Sequence, residues 1–325
     1  MTKILPPENK MSILYRWKNL SVAVLAALLA ACGGGSSDNS APVNNNPVIP
    51  PVTQPNAPGS PTLTGDAALD GYNWINYRRQ VAGLPTLTRN AKLDQASLGH
   101  SNYLRVNNTV SHTQTVGAPG FTGATETDRL QAAGYTLTLP YAYGEVISAA
   151  GDSSGFYHAE QLVTAIFHRF VLMEPIFREV GTGVSTGSGR TYFTADLGTV
   201  AGFGPGLGRG NAAVYPAANQ TLVPRNFFSD SEAPDPVPNQ NEVGYPISIQ
   251  GDNDARLQVQ TFTVRPRGGT DLTVRLLSPG STDTPVSAAA IIPLSVLKSA
   301  TIYDVTFTGT IDGITLNRTW SFTTQ

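Results

Sequence analysis

The sequence predicts an α+β chain of two folded units, an α/β sandwich followed by an all-β sandwich. Three observations lead there. At 325 residues the chain exceeds what one hydrophobic core usually serves. Helix-period apolar runs are concentrated between residues 66 and 170 and are followed by two strand patterns. From residue 212 onward only strand patterns occur, separated by turn residues at the spacing of a β-sandwich.

The first 31 residues read as an export signal. Arg16 and Lys18 precede an apolar run over residues 20–31, too short to span a bilayer, and small residues lead into Cys32. Leu29-Ala30-Ala31-Cys32 resembles a bacterial lipoprotein signal, which implies that Cys32 becomes a lipidated N-terminus and that the membrane is reached through its acyl chains. The resemblance further implies a place in the cell envelope, at the outer membrane where the cell has one, because Gly33 rather than Asp follows. Cys32 is the single cysteine, so no intramolecular disulfide can form and stability must come from packed cores. Residues 32–64, rich in Pro, Asn, Ser and Gly, cannot bury enough surface to fold and read as an extended tether.

The first unit is expected over residues 65–203. Asp66 caps a helix running to Val81, ended by Gly83 and Pro85, and a second helix begins at Asn90, with His100 on its apolar stripe. A third covers 127–133, and a fourth runs unbroken over 159–170 until Pro175 bars its continuation. His158, ahead of that fourth helix, reads as an exposed loop residue. Residues 141–148, 179–185 and 190–197 are strands. A flexible glycine-rich break at 202–210 separates this unit from the β-sandwich over 212–325. Its expected strands are 213–215, 246–250, 257–264, 272–277, 301–308 and 315–323, with a hairpin turn at Asp312-Gly313.

Charge and motif content narrow the function. The net charge of −2 offers no basic face, so no nucleic-acid partner is expected. Gly183-Val184-Ser185-Thr186-Gly187 has the form of a nucleophile elbow but lies between two strands, where that chemistry needs a strand-to-helix turn. The reactive side chains concentrate elsewhere. All four histidines fall between His100 and His168, near the strings Ser111-His112-Thr113, Gly144-Glu145 and His168-Arg169.

These strings, with Leu84-Pro85-Thr86-Leu87, Asp128-Arg129-Leu130, Gly134-Tyr135 and Phe177-Arg178-Glu179-Val180-Gly181-Thr182-Gly183, resemble a bacterial CAP (SCP-like) domain in their order over residues 65–200. The resemblance implies an α-β-α sandwich with a His/Glu cleft formed by His112, Glu145 and His168. It assigns no clear fourth acidic member. Glu160, eight residues before His168, is a candidate cleft neighbour; His100, on an apolar stripe, reads first as a satisfied core residue, with a place at the cleft as the alternative. No cofactor is required by this reading, and a divalent ion, Zn or Mg, is what His112, His168 and Glu145 could hold. Val146 stands where the family places Asn, and Ile166-Phe167 replace its Pro-Gly approach to the histidine. The second unit, with Trp320-Ser321-Phe322, resembles bacterial Ig-like domains.

The expected function is a lipid-anchored extracytoplasmic protein whose cleft binds a small apolar or lipidic ligand, or a protein partner. One alternative is a metal-dependent hydrolase of peptide or envelope polymer with Glu145 as base. A second is a structural or adhesive surface protein.

Overall fold

The computed structural model describes residues 22–23 and 57–325, residue 282 excepted. Cys32 and the tether up to residue 56 lie outside the described residues. So does the export signal apart from Val22–Ala23 (β1), which runs parallel to residues 148–149. Among the described residues no helix is long and apolar enough to cross a membrane.

Capping chemistry sets the helix starts. The Asp66 carboxylate accepts from the amides of Ala68 and Leu69 at 3.0 and 3.1 Å and opens α1 (Ala67–Val81). After the short β2 (Thr88–Arg89), Asn90 does the same for α2 (Ala91–Asn107). A Thr125/Asp128 capping box starts α3 (Glu126–Ala132), and Gly134, at φ 81°, follows its end. Next come β3 (Ala142–Ala150), α4 (Gly155–Thr164), α5 (Ile166–Leu172), and the hairpin β4 (Glu179–Gly187) and β5 (Arg190–Thr199).

Two expectations fail in this stretch. The single helix over 159–170 is two helices, because Ala165 is extended (ψ 118°) and serves as both the C-cap of α4 and the N-cap of α5. Apolar periodicity continues across the break, which hides it from the sequence. Since α4 begins earlier than expected, His158 is not an exposed loop residue: it is fully buried, with Nδ1 2.9 Å from Ser148 Oγ and Nε2 2.9 Å from the Asp152 carbonyl.

The sheet runs β1-β3-β5-β4-β2, with β3, β5 and β4 antiparallel. Successive side chains point to opposite faces. Val146, Phe193, Ala195 and Leu197 join the core formed with α1, α4 and α5, whereas Ile147, Ala149 and Tyr192 pack with Tyr103 and Leu104 of α2. Helix α2 lies very close to β4. Its Ser97 and Ser101 hydroxyls donate to the carbonyls of Gly181 and Gly183, and Asp94 accepts from Thr182 N at 2.8 Å. Only glycine fits there, since a Cβ on Gly181 or Gly183 would come within 2.1 Å of α2 backbone.

The second unit has a three-stranded sheet of β10 (Leu257–Pro266), β13 (Ile302–Ile311) and β14 (Ile314–Thr323), and a four-stranded sheet of β11 (Val274–Leu277), β12 (Ala288–Pro293), β9 (Ile247–Gln250) and β6 (Ala213–Tyr215). The pair β7 (Asn226–Phe228) and β8 (Glu242–Gly244) lies beside them. Asp312 and Gly313, at φ 53° and 75°, make the expected hairpin turn. Strand β12 is absent from the sequence reading, because an Ala-Ala-Ala start carries little strand signal; burial of all six residues places it.

The two units share one continuous apolar core. Arg169 donates to the Pro246 carbonyl at 2.7 Å and lies 4.9 Å from the ring centroids of both Tyr215 and Tyr245. Gln250 donates to the Phe170 carbonyl. The glycine-rich break is also held in place: Gly204 N donates to Ile176 O, and the Asp252 carboxylate accepts from Leu207 N and Gly208 N at 2.7 and 2.9 Å.

Candidate functional site

Glu145 is the centre of a buried polar cluster on the α2 face of the sheet. The preceding Gly144 belongs to the opposite face, where a Cβ would come 2.8 Å from Val171 Cγ1 of α5. In the Gly-Glu pair, then, the glycine admits α5 on one side while the carboxylate turns to the other. Glu145 Oε1 is 2.7 Å from His112 Nδ1, and Oε2 is 2.6 Å from Arg129 Nη2. Arg129, from α3, also donates to the His112 carbonyl at 3.0 Å. It therefore holds both partners of the His–Glu pair.

His100 supports this pair from α2. Its Nε2 lies 2.8 Å from the Ser111 carbonyl and its Nδ1 2.9 Å from the Gln114 amide nitrogen, which makes Nε2 the protonated nitrogen of a neutral ring. Nε2 is also 3.7 Å from Glu145 Oε1. Burial pulls its pKa down to about 4, with Glu145 opposing the shift. His100 thus fixes the backbone just ahead of His112. Gln114 in turn accepts from Thr122 N at 2.7 Å and Thr115 N donates to the Tyr103 hydroxyl, so the loop carrying His112 is tied at both sides.

Electrostatics follow from this packing. Burial by itself would raise the Glu145 pKa, but Arg129, His100 and His112 outweigh it and hold the carboxyl far below the usual range. Across the sheet, Asp196 of β5 pairs directly with Glu145, and burial together with that negative neighbour pushes its carboxyl well above the ordinary value. Glu126 of α3 is pushed up for the same reasons. The pair His112–Glu145 leaves His112 Nε2 buried without a hydrogen-bond partner. A neutral imidazole donating through Nδ1 to an ionised carboxylate presents a lone pair at Nε2, which can accept a hydrogen bond or a proton.

The remaining expected members are elsewhere. His168 does not share this cluster: α5 packs on the opposite face of the sheet, and His168 Nδ1 lies 2.9 Å from Oε1 of Glu232, from the second unit. Glu232 also accepts from the amides of Ile166, Phe167 and His168 at 2.7 to 3.1 Å. Glu160 is likewise not a cleft neighbour. It is engaged by Arg78 through two bonds of 2.8 Å and by Trp74 Nε1 at 2.6 Å. Ser185 is a buried strand residue bonded to Arg105 and Asn102, in keeping with the rejected nucleophile elbow. Two surface hollows of about 410 Å³, one beside Asp252 and Asp312 and one between α1 and α2, do not include His112.

A divalent ion does not fit the cluster. Both Glu145 oxygens are engaged, one by the guanidinium that already supplies the positive charge, and His168 is diverted to Glu232. Among the described residues no three or more His, Cys, Asp or Glu side chains are grouped to hold a metal.

The comparisons agree with the site's sequence strings. The family described as CAP, cysteine-rich secretory protein family, matches residues 72–197. Those residues are similar to a CAP domain, and the match covers less than half of the chain. Solved structures similar to the chain include an extracellular protein containing an SCP domain from Bacillus anthracis, 26% identical over 42% of this chain and 44% of that one, with a TM-score of 0.35. An outer surface protein of Borrelia burgdorferi is 16% identical over 43% of this chain and 96% of that one, TM-score 0.35. A cysteine-rich secretory protein of Staphylococcus aureus is 17% identical over 40% and 37%, TM-score 0.28. The chain thus spans less than half of the Bacillus protein. No curated protein matches.

Sequence reading missed Arg129 and Asp196 beside Glu145, and Glu232 beside His168. Asp196 had a signal, being the one carboxylate in its strand. Arg129 stood in one of the family strings without an assigned role. Glu232, 64 residues from His168, had none.

Proposed function

We propose that this CAP domain is an extracytoplasmic binding module whose His112–Glu145 pair recognises a small, largely apolar ligand presenting one hydrogen-bond donor. The observation that carries the reading is the buried His112 Nε2 without a partner, on a ring whose other nitrogen is fixed by Glu145. A buried acceptor left unmatched is costly, and a ligand hydroxyl would satisfy it. The loop that follows His112 supports an apolar ligand, since Val116 is 75% exposed and Phe121 37% exposed on it. The export signal and Cys32 support a lipid-anchored place in the cell envelope, with residues 32–64 as tether to a CAP unit over 65–203. The strands over 212–325 are then an Ig-like sandwich.

The hydrolase alternative is not favoured. A carboxylate held by His112 and Arg129 is a weak base, so Glu145 is a poor candidate for activating water. Metal assistance lacks a fitting donor set.

Mass spectrometry of lipid extracted from purified full-length protein tests the proposal. The expected result is a stoichiometric hydroxylated apolar molecule in the wild type and its loss in His112→Ala, with melting temperature preserved. Equal amounts of bound lipid in both, or none in either, would overturn it.

A further inference from the structure

We propose that Asp196 is carried as the neutral acid and shares its proton with Glu145, so that it acts as the positioning residue for the carboxylate that orients His112. The inference rests on the reading of His112–Glu145 as the recognition pair, and it concerns a residue on a different strand.

The geometry begins with register. Glu145 and Asp196 are directly opposed on β3 and β5, so both side chains project to the same face, beneath α2. Both residues are buried, at 5% and 1% exposure. Asp196 Oδ2 accepts from Ser97 Oγ at 2.7 Å, whereas Oδ1 has no donor. Side chains directly opposed on neighbouring antiparallel strands lie close together, so the Asp196 and Glu145 carboxyls are buried neighbours. Two buried like charges at that separation repel strongly, which favours one proton held by the pair.

The charge inventory says which one carries it. The groups around Asp196 are Glu145 from β3, Arg129 and Glu126 from α3, and Ser97 from α2, with His100 and His112 on Glu145. Arg129 is the one permanent cation among them, and it donates to Glu145. Glu145 therefore keeps the charge, and the proton resides on Asp196 Oδ1, donated toward Glu145. His100 cannot supply a second charge, since both its nitrogens are committed in the neutral form. The outcome is one ionised carboxylate with three donors: His112 Nδ1, Arg129 Nη2 and Asp196 Oδ1. Paired acids with pKa values driven apart in this way are the usual means of holding one carboxylate in a defined protonation state.

Infrared spectroscopy reads the proton directly. In full-length protein labelled with ¹³C at the aspartate carboxyl, the C=O stretch of a protonated acid is expected at neutral pH, shifted by the label, and absent from Asp196→Asn. No label-sensitive protonated-acid band in the wild type would overturn the proposal, whatever happens to the variants or to ligand binding. A second readout follows the His112 ring by ¹⁵N NMR. Asp196→Asn keeps a donor toward Glu145, so the Nδ1–H signal should persist at an unchanged chemical shift. If that substitution instead abolishes the signal or displaces it strongly, as removal of a negative charge would, Asp196 is ionised in the native protein and the proposal fails. The infrared band is independent of any ligand. Its presence without bound lipid would sink the binding function and leave the shared proton standing.

Discussion

Glu174 illustrates what a single buried carboxyl does to this molecule. It sits at the seam between the units, where Oε2 accepts from Gln250 at 3.3 Å and Oε1 from Ile176 N at 3.3 Å. Burial pushes its pKa up to about 8; Asp252 adds to the rise, while the Ile176 amide, Arg79 and Gln250 oppose it. The folded value exceeds the unfolded one, so its contribution is fully present below about pH 4 and is lost as pH rises toward 8. Glu174→Gln should therefore flatten the dependence of melting temperature on pH. Its advantage over wild type should grow from about pH 5 to 8, to on the order of 2 kcal/mol, read by calorimetry. A margin that stays constant over that range would show the carboxyl to be ionised throughout. Glu145 has the opposite sign, its charged form being the one that the fold stabilises.

At the scale of elements, the approach of α2 to β4 decides whether the polar cluster can form. Ser97, His100 and Ser101 lie on one side of α2, and the two serine bonds to β4 carbonyls require the helix to lie almost on the strand backbone, which carries His100 into the cluster. Gly183→Ala would place a Cβ 2.1 Å from Leu98 N and push the helix outward. A loss of about 1–3 kcal/mol is expected by chemical denaturation, with ligand binding weakened in parallel. Gly151→Ala, whose nearest neighbour would be 3.8 Å away, should be nearly neutral and serves as the control. Equal effects of the two would mean that the close approach is not needed. The helix caps and the Asp312-Gly313 turn were legible in the sequence because their chemistry is local. The break at Ala165 was not, because it depends on a carboxylate arriving from the second unit.

For the whole molecule, Glu232 is the most consequential contact between units. It satisfies three backbone amides at the start of α5 and the Nδ1 of His168 in a setting with no solvent. Glu232→Ala would leave these donors unmatched and should lower stability by about 3 kcal/mol or more. Trp74 lies in the first unit and Trp320 in the second, so fluorescence of single-tryptophan variants can follow each separately. One coincident transition is expected in wild type, since the apolar core is continuous. Two separate transitions would show that the units fold independently.

The amino-acid sequence alone determined what depends on neighbours along the chain. That includes the helix starts at Asp66 and Asn90, the hairpin turn, the strand alternation that points Glu145 and Val146 to opposite faces, and the strings that resemble a CAP domain. It also placed His112 and Glu145 together through that resemblance. Tertiary structure decided the partners. Arg129 and Asp196 join Glu145, Glu160 goes to Arg78, and His168 turns to Glu232 across the seam. The physical reason is that a buried charge is satisfied by whichever group packing brings within about 3 Å. That choice depends on how layers and units stack, and the order of residues does not record it.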